Sequence, residues 1–302
     1  MMNVRTGWYS TLLVFALASM PALAGKPAVA VAVSDPLTAV KTLQVEGWVV
    51  IDTQGRVEDY RLKSKINEPL RSTVDKAVRA WSFHPVLVDG QVRRAEALMR
   101  VTLAATQVGE GYEVRVDNVI FPNPELEPSS KQSKQEPKVV RGRRLKPPSY
   151  PPGLAMANVS GVVLLAIRVG EDGRVADVAP VQTMLLDIRG QQKTLQLAAG
   201  MFEAASLDAA RRWTFWVPAD FSQWPADKRI VTVPVEYQMT GSPTFERTGV
   251  WRTVVRTPKR RFDWMPLRPG SQSVGVADVG RGEFVPVASA LSLKSDVVGA
   301  AL

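Results

Sequence analysis

Gly161-Val162-Val163-Leu164-Leu165-Ala166-Ile167-Arg168-Val169, followed after Gly170 by Glu171-Asp172-Gly173-Arg174-Val175, is the stretch that decides the fold. Val163, Leu165, Ile167 and Val169 mark one strand face, and Val162, Leu164 and Ala166 make the other apolar too, which predicts a central strand. Glu171-Asp172-Gly173 reads as a tight turn, with Asp172 a turn residue. Val175 and Val178 in the returning strand sit three apart, which breaks strict alternation and predicts a bulge. Residues 182–200 read as an insertion. Met201 to Trp213 then reads as a helix burying Phe202, Ala205, Ala209 and Trp213. After a loop over 220–228, Val231, Val233, Val235, Tyr237 and Met239 alternate with Thr232, Pro234, Glu236 and Gln238, the pattern of a last strand.

The same order occurs upstream. Leu43 to Ile51 reads as a strand, Asp52-Thr53-Gln54-Gly55 as its turn, and Arg56 to Leu62 as the return. Asn67-Glu68-Pro69 starts a helix whose apolar face is Leu70, Val74, Ala77, Val78 and Trp81. Ala95 to Leu103 alternates as a strand, and Gly109-Glu110-Gly111 turns the chain into another over Tyr112 to Asp117. Aligning Gly55 with Gly173 places Arg79-Ala80-Trp81-Ser82-Phe83 on Arg211-Arg212-Trp213-Thr214-Phe215. Glycine to tryptophan spans 26 residues in the first copy and 40 in the second, and the 182–200 insertion carries most of the difference.

Around the copies lie three segments of other character. Residues 1–24 read as a cleavable export signal: Arg5, an apolar run from Trp8 to Met20, Pro21, then Ala22-Leu23-Ala24 before Gly25. A retained inner-membrane anchor is the alternative, although the run is short for a bilayer span. Residues 25–42 form a lead-in. Residues 122–149, rich in proline, with seven Lys/Arg against three Glu, read as an extended basic spacer. Residues 241–302 read as a basic, loosely ordered tail, apart from a possible strand over Val250 to Val255. The domain expectation is therefore signal 1–24, degenerate unit 25–121, linker 122–149, second unit 150–240 and tail 241–302.

The chain of 302 residues has formal net charge +9, one histidine and no cysteine. This excludes disulfides, thiol chemistry, iron–sulfur clusters and zinc sites built on cysteine or on several histidines. No cofactor, metal or nucleic-acid motif is present, and no enzyme is expected. His84 sits beside Phe83 and Pro85 at a helix end, with no Ser/Asp constellation around it, and reads as a dipole-facing or packing residue. Trp81 and Trp213 read as core, and Arg79 and Arg211 as surface or carboxylate-paired. Gly280-Arg281-Gly282 lacks the strand-to-helix setting of a phosphate loop.

Tyr150-Pro151 ten residues before Gly161, Asp172-Gly173-Arg174-Val175, the helix end with Arg211, Trp213 and Phe215 followed by Pro218, and Val233-Pro234-Val235-Glu236-Tyr237 together resemble the C-terminal domain of TonB-family proteins. The first copy, lacking the Tyr-Pro opening, resembles a degenerate repeat of it. The resemblance implies an α+β fold of two tandem domains, each a small antiparallel sheet with a helix on one face. It also implies binding to the box peptide of an outer-membrane transporter, and force transduction from inner-membrane motor proteins. Pro234 cannot donate a ladder hydrogen bond, so the last strand is expected at a sheet edge. There Val231, Thr232, Val233, Pro234, Val235, Glu236, Tyr237 and Gln238 would recruit a partner strand in the periplasm. An edge blunted by proline against aggregation is the alternative role for Pro234. Val250 to Val255 is a candidate cap for that edge, the alternative to a free one. The alternative function is a periplasmic adaptor that uses its basic linker and tail on anionic envelope surfaces.

Overall fold

The computed structural model describes residues 36–88, 90–122, 140–239, 248–265, 274–278, 285–286 and 291–302. The export signal therefore lies outside the described residues, as do most of the linker, Gly280-Arg281-Gly282 and parts of the tail. The fold is α+β, and every strand pair in it is antiparallel.

In chain order the first half comprises β1 (Thr38–Ile51), β2 (Val57–Leu62), α1 (Glu68–Arg79), the short hairpin β3 (Val86–Val88) and β4 (Gln91–Arg93), β5 (Ala95–Val108) and β6 (Gly111–Ile120). The second half comprises β7 (Arg141–Arg144), α2 (Pro152–Met156), β8 (Ser160–Val169), β9 (Val175–Leu186), α3 (Gln192–Ala210), β10 (Thr214–Trp216) and β11 (Ile230–Tyr237). β12 (Arg252–Arg256) and β13 (Val285–Pro286) come from the tail.

Each half is built on one central strand. β1 lies between β2 and β5, and β8 between β9 and β11. In each half the helix follows the second strand and packs on one sheet face. Val74 and Val78 of α1 join Val45, Val49, Met99 and Val101. Leu195, Ala199, Phe202 and Ala210 of α3 join Val163, Leu165, Ile167, Val233 and Val235. α1 starts at Asn67, whose carbonyl takes the Arg71 amide at 2.9 Å while its side chain makes no cap, and Pro69 fits the first turn. The bulge expected after Val175 is present: Arg168 pairs with Asp177 and Val169 with Val175, leaving Ala176 unmatched.

Several expectations are revised. The first is independence of the two units, which share one sheet in the order β13-β11-β8-β9-β12-β1-β5-β6, with β2 also on β1. β12 is the joint. Thr253 to Arg256 pair with Lys41 to Thr38, while Val254 to Arg256 pair with Leu186 to Met184. The candidate cap of the last strand instead lies between the halves, where the adjacent residues Val254 and Val255, on opposite strand faces, are both buried.

The second concerns the linker, which is shorter than 122–149. Val140 is buried, and β7 pairs with β10. The third concerns the tail. Leu291, Leu293 and Val297 are buried on the first half beside Phe83. The chain end follows β6, where the Gly299 amide donates to the Val116 carbonyl at 2.7 Å and the Leu302 amide to Val114 at 3.0 Å. The 182–200 insertion is mostly absorbed into regular structure, with only the short connection 187–191 outside it. Its first residues complete β9 and its last ones start α3, which therefore begins at Gln192 rather than Met201.

Candidate peptide-docking edge

β11 lies at the outer side of the second half. Its odd residues Val231, Val233, Val235 and Tyr237 are 2–5% exposed and face α3. Thr232 is buried on the opposite face, and Pro234, Glu236 and Gln238 are half-buried. On its inner side β11 pairs with β8 over eight residues, Ile230 with Arg168 through Tyr237 with Gly161. Pro234 sits within this ladder opposite Leu164, so its nitrogen, which has no hydrogen, belongs on the outer side. The neighbouring residues of the same parity, Thr232 and Glu236, then direct their backbone groups outward as well.

On that outer side the described ladder is β13, which pairs Val285 with Thr232 and Pro286 with Val231. Thr232, Glu236 and Gln238 each take part in further contacts. The corresponding edge in the first half is closed differently. β6 pairs with β5 from Arg100 to Val108 after the turn at Gly109 and Glu110, as the sequence predicts.

Tyr150, Gly161 and Tyr237 fix this strand against α3. The Tyr237 ring stacks on Phe202 with centroids 4.3 Å apart, and Tyr150 meets both edge-on at 5.5 and 5.7 Å. The Tyr237 hydroxyl donates to the Phe202 carbonyl at 3.2 Å. Its single proton is then used, so Ser206 donates to it at 2.9 Å. Burial raises the Tyr237 phenol above its ordinary value, so it stays protonated. The Tyr150 hydroxyl donates to Val159. Gly161, opposite Tyr237, leaves the space that Phe202 fills: a Cβ there would lie 2.9 Å from both the Phe202 ring and the Met184 carbonyl oxygen.

Pro151 is buried and precedes the first turn of α2. Asp172 accepts the Arg174 amide at 3.0 Å, as a turn residue does. Gly173 has φ +73°, and its carbonyl accepts the Phe215 amide at 2.7 Å. Trp213 is buried and donates from its indole to the Lys146 carbonyl at 2.8 Å; Phe215 is buried beside it. Arg211 is exposed at the end of α3. In the first half Trp81 is buried and Arg79 pairs with Asp75 at 2.8 Å, while the His84 side chain is exposed.

The basic tail is not a free cationic surface over its described length. Arg256 makes two hydrogen bonds to Asp117, at 2.6 and 2.7 Å. Arg260 binds the fully buried Glu203 of α3, which also accepts Thr183 at 2.6 Å. Lys259 lies 3.8 Å from Asp278. Sequence alone gave no signal for these pairs, because Asp117, Glu203 and Asp278 stand far from their partners along the chain.

Among the described residues no group of acids and histidine is placed to hold a metal, and no helix is long and apolar enough to cross a membrane. No protein-family model, curated protein or solved structure matches the chain significantly.

Proposed function

We propose that the chain is an envelope binding protein whose β11 edge takes an extended peptide of a partner as an added strand, in the place β13 occupies. The observation that carries this reading is β13 itself. A segment with a proline adds antiparallel to β11, pairing Val285 with Thr232 and Pro286 with Val231 among the described residues. Over its described length this ladder is shorter than the eight-residue ladder on the inner side. A peptide that pairs along β11 takes this edge by replacing it. The TonB-like motifs add the class of partner: the N-terminal box peptide of an outer-membrane transporter, with the protein exported to the periplasm. Coupling to an inner-membrane motor is the further step that the same resemblance implies.

The test is titration of synthetic transporter box peptides against the whole chain and against Glu236→Pro, which removes one outward backbone donor. Each lost hydrogen bond is worth about 1 kcal/mol, so affinity should fall roughly fivefold, with little dependence on salt. An unchanged affinity in a folded Glu236→Pro protein would exclude strand addition at this edge.

A further inference from the structure

The small sheet of β7 and β10 has an outward face unlike any other part of the described surface. β7 is the run Arg141-Gly142-Arg143-Arg144, and its three arginines are exposed. It pairs Arg141 with Trp216, Gly142 with Phe215 and Arg144 with Thr214. Phe215 points into the core and is buried. Its neighbours Thr214 and Trp216 therefore point outward, and the Trp216 side is 51% exposed. The shift in register leaves Arg143 unmatched as a bulge, and its guanidinium lies over the Trp216 ring at 4.3 Å.

Arg174 bridges Thr214 from the other side, but it is held near Asp172 at 3.5 Å. Arg212 is likewise paired with Asp208. Arg141, Arg143, Arg144, Lys146 and Arg211 make no ion pair with any described carboxylate, in contrast to the tail cations. Three arginines and one half-exposed indole therefore share this ribbon, with exposed Lys146 and Arg211 next to its strands along the chain.

We infer that this face docks on the surface of an anionic phospholipid bilayer. Arginines beside an exposed tryptophan match what such a surface offers: headgroup phosphates for the guanidinium groups and an interfacial layer for the amphipathic indole. A bilayer fits better than a nucleic acid. Arg143 already covers one face of the Trp216 ring, which obstructs base stacking, and the ribbon is short with no groove. The face is distinct from β11, so a bilayer-bound chain keeps its peptide edge.

The experiment is co-sedimentation of the whole chain with vesicles of phosphatidylglycerol mixed with phosphatidylcholine, and with phosphatidylcholine alone. Binding is expected to the anionic vesicles only and to weaken as salt rises. The triple change Arg141→Gln, Arg143→Gln, Arg144→Gln should weaken it by about 100-fold, from roughly fivefold per cation near a charged surface. Lysine at the same three positions should retain most of it, which separates charge from loss of fold. Trp216→Phe should remove a blue shift of fluorescence that the parent shows on anionic vesicles. Equal binding to neutral vesicles, an unaffected triple glutamine variant, or binding to single-stranded RNA in preference to anionic vesicles would overturn the assignment. Box-peptide affinity, read separately, is expected to be unchanged in the triple variant.

Discussion

Gly55 and Gly173 carry the same burden in the two halves. Each has a positive φ, +80° and +73°, and each carbonyl accepts the amide of the aromatic residue two positions after the helix-end tryptophan, at 2.7 Å. A Cβ at Gly55 would lie 2.0 Å from the Phe83 carbonyl oxygen, and one at Gly173 2.4 Å from that of Phe215. Backbone strain and collision then act together. Gly173→Ala and Gly55→Ala should each cost roughly 2 kcal/mol or more in denaturant unfolding. A loss below half that would show that the turn can move away from the helix end. Tyr60 predicts the opposite sign. Its hydroxyl is buried without a hydrogen-bond partner among the described residues, and burial raises its ionisation above the ordinary range. Tyr60→Phe removes a desolvated group and keeps the ring, so stability should rise by up to about 1 kcal/mol. The glycines were legible in the sequence because each sits in a repeated frame. Tyr60 was not, because an unmet hydrogen bond depends on what surrounds the residue in space.

Among the elements, the strands of both halves were readable from period-two alternation, and α1 from its period of 3.6. α3 was readable only in its second part. Its first turns carry Leu195, Ala198 and Ala199, all buried, but alanines on several faces blur an amphipathic stripe. β7 was hidden by composition. Prolines and cations mark a solvated spacer, whereas the exposed arginines of β7 are compatible with a ribbon whose inner side is Gly142. β12 was recognised as a strand and given the wrong neighbour, since pairing over long separations leaves no local trace. Its true place changes how the peptide edge can be tested. Ending the chain after Gly249 would remove β12 along with β13, and with it the joint of the sheet. That truncated chain should lose cooperative unfolding rather than bind more tightly. The informative change is replacement of residues 282–288 by glycine and serine at equal length, which removes β13 alone. Box-peptide affinity should then rise, because the peptide no longer displaces a resident strand. Equal affinity in the replaced chain would show that β13 does not compete.

For the whole molecule, the joint between the halves is polar as well as covalent. The short turn Val276–Asp278 enters between them, and Asp278 is buried at 1% exposure. Its carboxylate accepts Thr102 and the Gly275 amide at 2.6 Å each, and Asn118 as well. Its carbonyl accepts Arg100 at 2.7 Å, and the Val276 amide donates to Gln182 of the second half at 2.9 Å. Arg100 in turn holds Glu46 at 2.6 Å. Burial alone would push the Glu46 carboxyl up, but Arg100, helped by Lys63, outweighs it and holds it below its ordinary value of 4.5. A depressed carboxyl contributes stability that is fully present above that value and is lost as the pH falls through the folded-state value beneath it. Melting temperature should therefore decline below about pH 4.5. Glu46→Gln removes one buried charged partner of Arg100, so at neutral pH it should cost roughly 3 kcal/mol. Below pH 4.5 the variant should follow a shallower decline, because the parent alone loses this pair on acidification. Exposed carboxylates held low by neighbouring arginines, such as Asp208 beside Arg212, titrate in both proteins and set a common background. Parallel pH curves for parent and Glu46→Gln would remove Glu46 from the acid response.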